Sequence, residues 1–159
     1  MSSSDKNLST FKPTVAKDAG NLKVAIVVSE WNEEVTEALF AGALSTLLET
    51  GVARENIVRV DVPGSFELPF GAQKMAEKSE IDAVICIGCI IQGETKHFDF
   101  ICAACAQGIM DVGLKYNKPV AFGVLTTNDN KQAMDRAGGK HGNKGDEAAI
   151  TVMKMLNIK

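Results

Sequence analysis

Two hydrophobic rhythms alternate along this chain. Leu22–Ser29 (LKVAIVVS) is rich in β-branched residues and almost continuously apolar, as expected of a strand covered on both faces. From about Asn32 to Thr50 the period lengthens, with Val35, Leu39, Ala43 and Leu47 recurring along one side of a predicted helix. Asn32 is a candidate cap, Glu33 and Glu34 suit the positive end of the dipole, and Gly51 closes the segment. The switch then repeats. Asn56–Val62 reads as a second strand and Glu67 to Lys78 as a shorter helix, with Pro69 tolerated in its first turn. Asp82–Ile91 is the third strand. It leads into a long helix from Thr95 to Tyr116 whose apolar face is Phe98, Ile101, Cys102, Cys105, Ile109 and Val112. Pro119–Leu125 is the fourth strand. Helical pieces at Asp129–Ala137 and Lys144–Leu156 follow, separated by Gly138-Gly139-Lys140-His141-Gly142.

Strand–helix alternation with apolar strands predicts an α/β fold: a three-layer α/β/α sandwich with a four-stranded parallel sheet and helices on both faces. Residues 21–159 read as a single domain and residues 1–20 as a polar N-terminal arm. The arm is either a disordered tail or an extended segment that orders against a neighbouring subunit.

Composition narrows the classes. The chain has 159 residues, 45% hydrophobic and 23% charged, with a net charge of -3. This balance gives no electrostatic case for nucleic acid or an anionic membrane. The first stretch lacks the apolar core of a secretory signal, and the longest apolar run, Ala83 to Ile91, falls far short of the roughly 20 residues that span a bilayer. A soluble, cytoplasmic protein is expected. Cys86/Cys89 and Cys102/Cys105 form two C-x-x-C pairs, a spacing that zinc sites use. The first pair lies in an apolar strand and the second on the apolar stripe of a helix, so all four read as reduced core residues and no metal is expected.

Ligand sites in open parallel sheets lie beyond the carboxyl ends of the strands, so the residues just after each strand are the informative ones. After the first comes Trp31, the only tryptophan, placed to stack on a flat heterocycle or to plug a gap between packed elements. After the second comes Pro63-Gly64-Ser65-Phe66-Glu67-Leu68-Pro69, a loop stiffened by two prolines. There Phe66 offers an apolar wall, and Glu67 serves a ligand edge or simply the helix dipole. After the third comes Gly93-Glu94-Thr95-Lys96-His97. Thr95 is a candidate cap for a helix start with free N–H groups, a natural phosphate cradle. His97, one of two histidines, suits proton transfer near neutral pH, although a lone histidine is more often structural. Arg136, one of three arginines, precedes the glycine-rich segment and is a bidentate phosphate partner or a plain surface charge. From the residues alone, this is a rim site for an aromatic, phosphate-bearing substrate worked by histidine.

Trp31-Asn32, the loop Pro63 to Pro69, Gly93-x-Thr95-x-His97-Phe98-Asp99, and Arg136-Ala137-Gly138 with Gly142-Asn143-Lys144-Gly145 together carry a specific resemblance, from about Leu22 to the C-terminus. The chain resembles the lumazine synthase (6,7-dimethyl-8-ribityllumazine synthase) family. The resemblance implies a flavodoxin-like fold and a transferase of riboflavin biosynthesis, acting at the penultimate step. It would join 5-amino-6-(D-ribitylamino)uracil to 3,4-dihydroxy-2-butanone 4-phosphate, with no cofactor and no metal. By position, Trp31 resembles the residue stacking on the pyrimidine. Ser65, Phe66 and Glu67, with Ile90 and Ile91 alongside, resemble the segment holding the ribityl chain and ring edge. Gly93, Glu94 and Thr95 resemble the phosphate cradle, Arg136 its counter-charge and His97 the proton-transfer group. Phe122, Gly123 and Lys144 resemble residues supplied by a neighbouring subunit.

The resemblance also implies a homo-oligomer, a pentamer or an icosahedral 60-mer with sites at subunit interfaces, and riboflavin synthase as a partner. The short loop from Arg136 to Lys144 leans towards the shell, with the N-terminal arm adding an edge strand to a neighbour. Asp146-Glu147 leaves open which carboxylate orients the histidine, Glu147 being the better positional match, and His141 reads as incidental. The alternatives are a catalytically inactive flavin-binding or cage-forming relative and, further off, an unrelated phosphate-binding regulatory domain.

Overall fold

The computed structural model describes residues 19–158; the reading of residues 1–18 as an arm lies outside them. The elements run β1 (Val24–Ser29), α1 (Glu33–Glu49), β2 (Ile57–Val62), α2 (Leu68–Ala76), β3 (Ala83–Ile91), α3 (His97–Tyr116) and β4 (Val120–Thr127). The chain then closes with α4 (Asn130–Met134), β5 (Ala137–Gly139), β6 (Gly142–Asn143) and α5 (Lys144–Met155). The four long strands form one parallel sheet in the order β2-β1-β3-β4. Parallel neighbours need crossover connections, which the intervening helices supply.

Side-chain alternation along β1 separates the two faces. Val24, Ile26 and Val28 join a core with Val35, Leu39, Ala43 and Leu47 of α1 and Ala149, Val152 and Met153 of α5. Ala25 and Val27 point the other way, to Leu68, Ala72 and Met75 of α2 and Cys105, Ile109 and Val112 of α3. This is the predicted three-layer α/β/α arrangement, with helices on both faces of the parallel sheet. β2 and β4 are its edges. On β2, Arg59 is held by Glu37 and Asp61 and lies over the Phe40 ring at 4.4 Å, so the edge presents paired charge to solvent.

Contact between α1 and α5 is closest at two glycines. A Cβ on Gly145 would sit 1.9 Å from the Leu39 carbonyl oxygen, and one on Gly42 would sit 2.2 Å from Asp146 Oδ1. Asn143 fastens the same junction. Its Nδ2 donates to the Ala38 carbonyl at 2.8 Å, while its Oδ1 accepts from Gly145 N–H at 2.8 Å and so caps α5.

Three local expectations change. Asn32 occupies the N-cap position of α1 but makes no side-chain cap; it adopts a left-handed conformation with φ 59° and turns its amide elsewhere. α3 begins at His97, two residues later than the Thr95 start expected from sequence, because Thr95 accepts only a long 3.4 Å bond from His97 N–H. The glycine-rich segment is not a plain linker. It pairs as an antiparallel ribbon, β5 with β6, aided by positive φ at Gly138 and Gly142.

Gly145→Ala is expected to lower unfolding free energy by about 3 kcal/mol or more, since the methyl meets backbone that cannot yield. Gly93→Ala, with nothing within 4 Å of the added carbon, should stay within about 0.5 kcal/mol of the parent. Urea unfolding compares the two, and similar losses would contradict the close crossing.

Candidate active site

Two backbone bonds and one side-chain bond tie the carboxyl ends of the strands together. Glu30 N–H donates to the Val62 carbonyl at 2.9 Å, joining the ends of β1 and β2, and Gln92 N–H donates to Thr127 at 2.8 Å, joining β3 and β4. Between them, Asn32 Nδ2 donates to the Cys89 carbonyl at 2.8 Å. The left-handed turn at Asn32 therefore serves to reach β3. Sequence reading assigned Asn32 to the helix and missed this tie; Asn is the residue, after glycine, that most readily accepts such a turn.

On this pinned rim the predicted groups gather. Trp31 is 72% exposed and Phe66 is 57% exposed, both unusual for large apolar side chains in a well-packed domain. Trp31 and Glu67 meet at Gly64. A Cβ there would lie 3.1 Å from Glu67 Oε2 and 3.4 Å from Trp31 Cδ1, so the indole edge and the carboxylate flank the same backbone. Ser65–Glu67 form a single 3-10 turn that runs into α2. Ser65 is buried beneath it, while Phe66 and Glu67 face outward. Ile90 is buried at the end of β3, and Ile91 is half-buried beside it.

Gly93, Glu94, Thr95 and His97 are all exposed. No side chain caps the start of α3 at Lys96. The first N–H groups of this 20-residue helix, lacking a side-chain cap, present the positive end of its dipole at the rim. Lys96, at the start of the helix, pairs loosely with Asp99 at 3.8 Å.

A second cluster forms where the ribbon folds back. Lys144 N–H donates to the Arg136 carbonyl at 2.9 Å, which joins the two backbones where the ribbon closes although eight positions separate them. Arg136 Nη1 donates to the Gln132 carbonyl at 2.9 Å. Lys144 Nζ pairs with Glu147 at 2.5 Å, both largely buried. Asp146 instead turns to Gly42 of α1, where burial, and then the nearby Glu49 and Glu147 charges, push its carboxyl above the usual range. Among the described residues no hydrogen bond or ion pair joins His97 to Asp146 or Glu147, nor the first cluster to the second.

On β4, Phe122 is exposed at the open edge of the sheet. Gly123 is buried, where a Cβ would meet the Cys86 carbonyl, Ile87 and Ala148. Cys86, Cys89 and Cys105 are buried and Cys102 is half-buried. Burial pushes the Cys89 thiol up to about 11 and Cys105 to about 12, with Cys86 also raised, so none is a thiolate at neutral pH. Among the described residues no group of three or more His, Cys, Asp or Glu is placed to hold a metal ion, and no helix is long and apolar enough to cross a membrane.

A parallel α/β sheet with an aromatic, acid and histidine rim at its strand ends defines the class: open-sheet α/β proteins that bind ligands beyond the carboxyl edge. Residues 21–159 match the profile of 6,7-dimethyl-8-ribityllumazine synthase. A 6,7-dimethyl-8-ribityllumazine synthase of Cytophaga hutchinsonii is 60% identical over 156 residues, 98% of each chain. That of Parabacteroides distasonis is 50% identical over 158 residues, 99% of each chain. That of Flavobacterium johnsoniae is 50% identical over 159 residues, all of this chain and 84% of the relative. The chain belongs to the 6,7-dimethyl-8-ribityllumazine synthase family.

Two predictions follow from local geometry. Replacing Asn32 by Ala should cost about 1 kcal/mol more than replacing it by Gly, because both lose the Cys89 bond but only Ala pays for the left-handed turn. Equal urea midpoints for the two variants would remove that constraint. Asp146 has a folded pKa above its unfolded value of roughly 3.9, so its ionised form costs stability at neutral pH and the cost vanishes once both states are protonated. Asp146→Asn should therefore raise the urea midpoint at about pH 7 and lose that advantage on acidification below about pH 4; an advantage that grew on acidification would reverse the assignment.

Proposed function

We propose that the chain condenses 5-amino-6-(D-ribitylamino)uracil with 3,4-dihydroxy-2-butanone 4-phosphate to 6,7-dimethyl-8-ribityllumazine, the penultimate step of riboflavin biosynthesis. The observation that carries this reading is the convergence of Trp31 and Glu67 at Gly64, on a rim that also holds Phe66 and the uncapped start of α3. An indole face receives a pyrimidine ring, a carboxylate takes its N–H edge, and free amides take a phosphate. Family membership supplies the identity of the two reactants.

The chemistry needs positioning and proton movement. The pyrimidine amine attacks the ketone to form an imine with loss of water, phosphate is eliminated, and the ring closes with loss of a second water. Holding both reactants on one rim supplies much of the acceleration. His97, exposed at the first position of α3, is the group that moves protons between amine, carbinol and leaving phosphate. Ser65 with its turn, Ile90 and Ile91 hold the ribityl side. Gly93, Glu94 and Thr95 present backbone to the phosphate.

Arg136 and Lys144 flank the ribbon, joined through their backbones, and neither is hydrogen-bonded to the His97 rim of its own chain. This supports a site completed by a second copy, whose ribbon brings both cations, with Phe122 and Gly123 of its β4 edge, to the phosphate and ring. Glu147, paired to Lys144, is then the carboxylate that reaches His97 across the interface. Apolar side chains left exposed on α3, Phe100, Met110 and Leu114, fit the same reading of a pentamer, alone or as the unit of a shell. Riboflavin synthase, which consumes the product, is the partner such an assembly would serve.

Purified protein mixed with both substrates should yield the fluorescent lumazine well above the spontaneous rate; turnover at background would refute the activity. His97→Ala should lower kcat by roughly 10²-fold with the assembly unchanged. Arg136→Ala should raise KM for the butanone phosphate about tenfold, a lost charge-assisted bond, and leave the pyrimidine KM near its parent value. Co-refolding the two variants in equal amounts tests the shared site. Random mixing gives roughly a quarter of sites with both groups intact, hence restored activity, whereas none would place both groups in one chain's site.

A further inference from the structure

Among the described residues only two buried side-chain polar atoms have no hydrogen-bond partner, and both are serine hydroxyls beneath the rim: Ser29 Oγ and Ser65 Oγ. Ser29 is 0% exposed at the end of β1, and Ser65 is 7% exposed in the turn after β2. They converge on one point. A Cβ on Gly88 would lie 2.8 Å from Ser65 Oγ and 3.4 Å from Ser29 Oγ, with Leu68 Cδ1 at 2.9 Å. Gly88 itself is out of character in the strand AVICIGCII, because glycine in a strand interior weakens it and marks a site of close approach. Here the thing that approaches is a pair of hydroxyls, one from the end of β1 and one from the turn after β2.

We propose that Ser29 and Ser65 share one buried water beside Gly88, and that Ser29 acts through it as a positioning residue for the Gly64–Glu67 turn. A single water meets the need of both hydroxyls at once and has the two polar partners that a buried site requires. Two buried hydroxyls left unpaired would each carry the full loss of their hydration. The link also closes a gap in the rim. Backbone bonds join β1 to β2 through Glu30 and Val62, and Asn32 reaches β3, but no tie from β1 reaches the turn that carries Phe66 and Glu67. The hydroxyl pair supplies that tie, directly under the groups that face the pyrimidine. Ser29 touches no reactant: it is sealed below the surface, and its influence passes through Ser65.

The kinetic part of this inference rests on the proposed condensation; the coupling between the hydroxyls does not. Ser29→Ala, Ser65→Ala and the double variant of the full chain form a cycle read by urea midpoint. Each single change should strand the other hydroxyl, so the double variant should lose clearly less than the sum of the single losses. Strict additivity would overturn the coupling whether or not the protein is a synthase. A high-resolution crystal structure of the parent should show one ordered water within hydrogen-bond reach of both Oγ atoms, and a direct bond between the hydroxyls or none at all would overturn the bridge. Ser29→Ala should raise KM for the ribitylaminouracil about fivefold, with kcat and the butanone phosphate KM near their parent values. An equal rise for both substrates, or none, would overturn the positioning role.

Discussion

β1 runs through the middle of the sheet with strands on both sides and helices on both faces, and all six of its residues are buried. A strand so placed has its backbone groups taken by the two ladders and its side chains taken by two cores, so it can carry almost nothing but small and β-branched apolar residues. β3 obeys the same restriction along most of its length. Chemistry is thereby expelled to the places where the strands stop. Trp31, Phe66, Glu67 and His97 all follow the last residue of a strand by a few positions, and none interrupts one. The cysteines mark the other side of this rule. Cys86 and Cys89 sit inside β3 as compact apolar groups, and the burial that suits them there denies them the thiolate form.

Expelled residues would be useless on loose loops, and the rim is not loose. Short bonds between successive strand ends fix the backbone from β2 across to β4, so the exposed side chains stand on a fixed base. Gly64 leaves room for Trp31 and Glu67 to approach the same stretch of backbone, where a side chain would press on the carboxylate. The free energy of ordering these groups is settled during folding, so a reactant arriving at the rim does not have to supply it.

How much of this could be read from the chain depended on whether the deciding interaction was local. The apolar stripe of α1 is an i, i+4 pattern, and Val35, Leu39, Ala43 and Leu47 are all fully buried as that pattern demands. Strand runs, the parallel sheet and the rim positions followed from equally local signals. Asn32 did not, because its partner is the Cys89 carbonyl, 57 positions away, and a side chain with a distant acceptor looks identical in sequence to one that caps its own helix. Thr95 gives the helix only a weak 3.4 Å bond to His97 N–H, a matter of a few tenths of an ångström that residue type does not reveal. The ribbon at Ala137–Gly139 and Gly142–Asn143 was hidden by its glycines, which signal a bend but not what the bend brings together. The backbone bond from Lys144 to Arg136 is a consequence of that bend and had no signature in spacing.

Charge around the rim explains why the proposed two-copy site would be useful. The loop ahead of α3 carries Glu94 and Lys96, Asp99 stands in the first turn of the helix, and Glu30 and Glu67 stand on the adjoining loops. The helix dipole offers only about half a positive charge at its end. A phosphate dianion set there by one chain would be held by amides but left short of cations, with carboxylates close by. In the proposed two-copy site Arg136 and Lys144 would make up the shortfall, while within their own chain the ribbon is anchored to α1 through Asn143 and the Gly145 crossing. A neighbouring copy can bring the same two cations with no distortion of either chain. Binding of the phosphate reactant and association of the subunits then draw on the same contacts, so each should strengthen the other, as linkage requires of any ligand that bridges two chains.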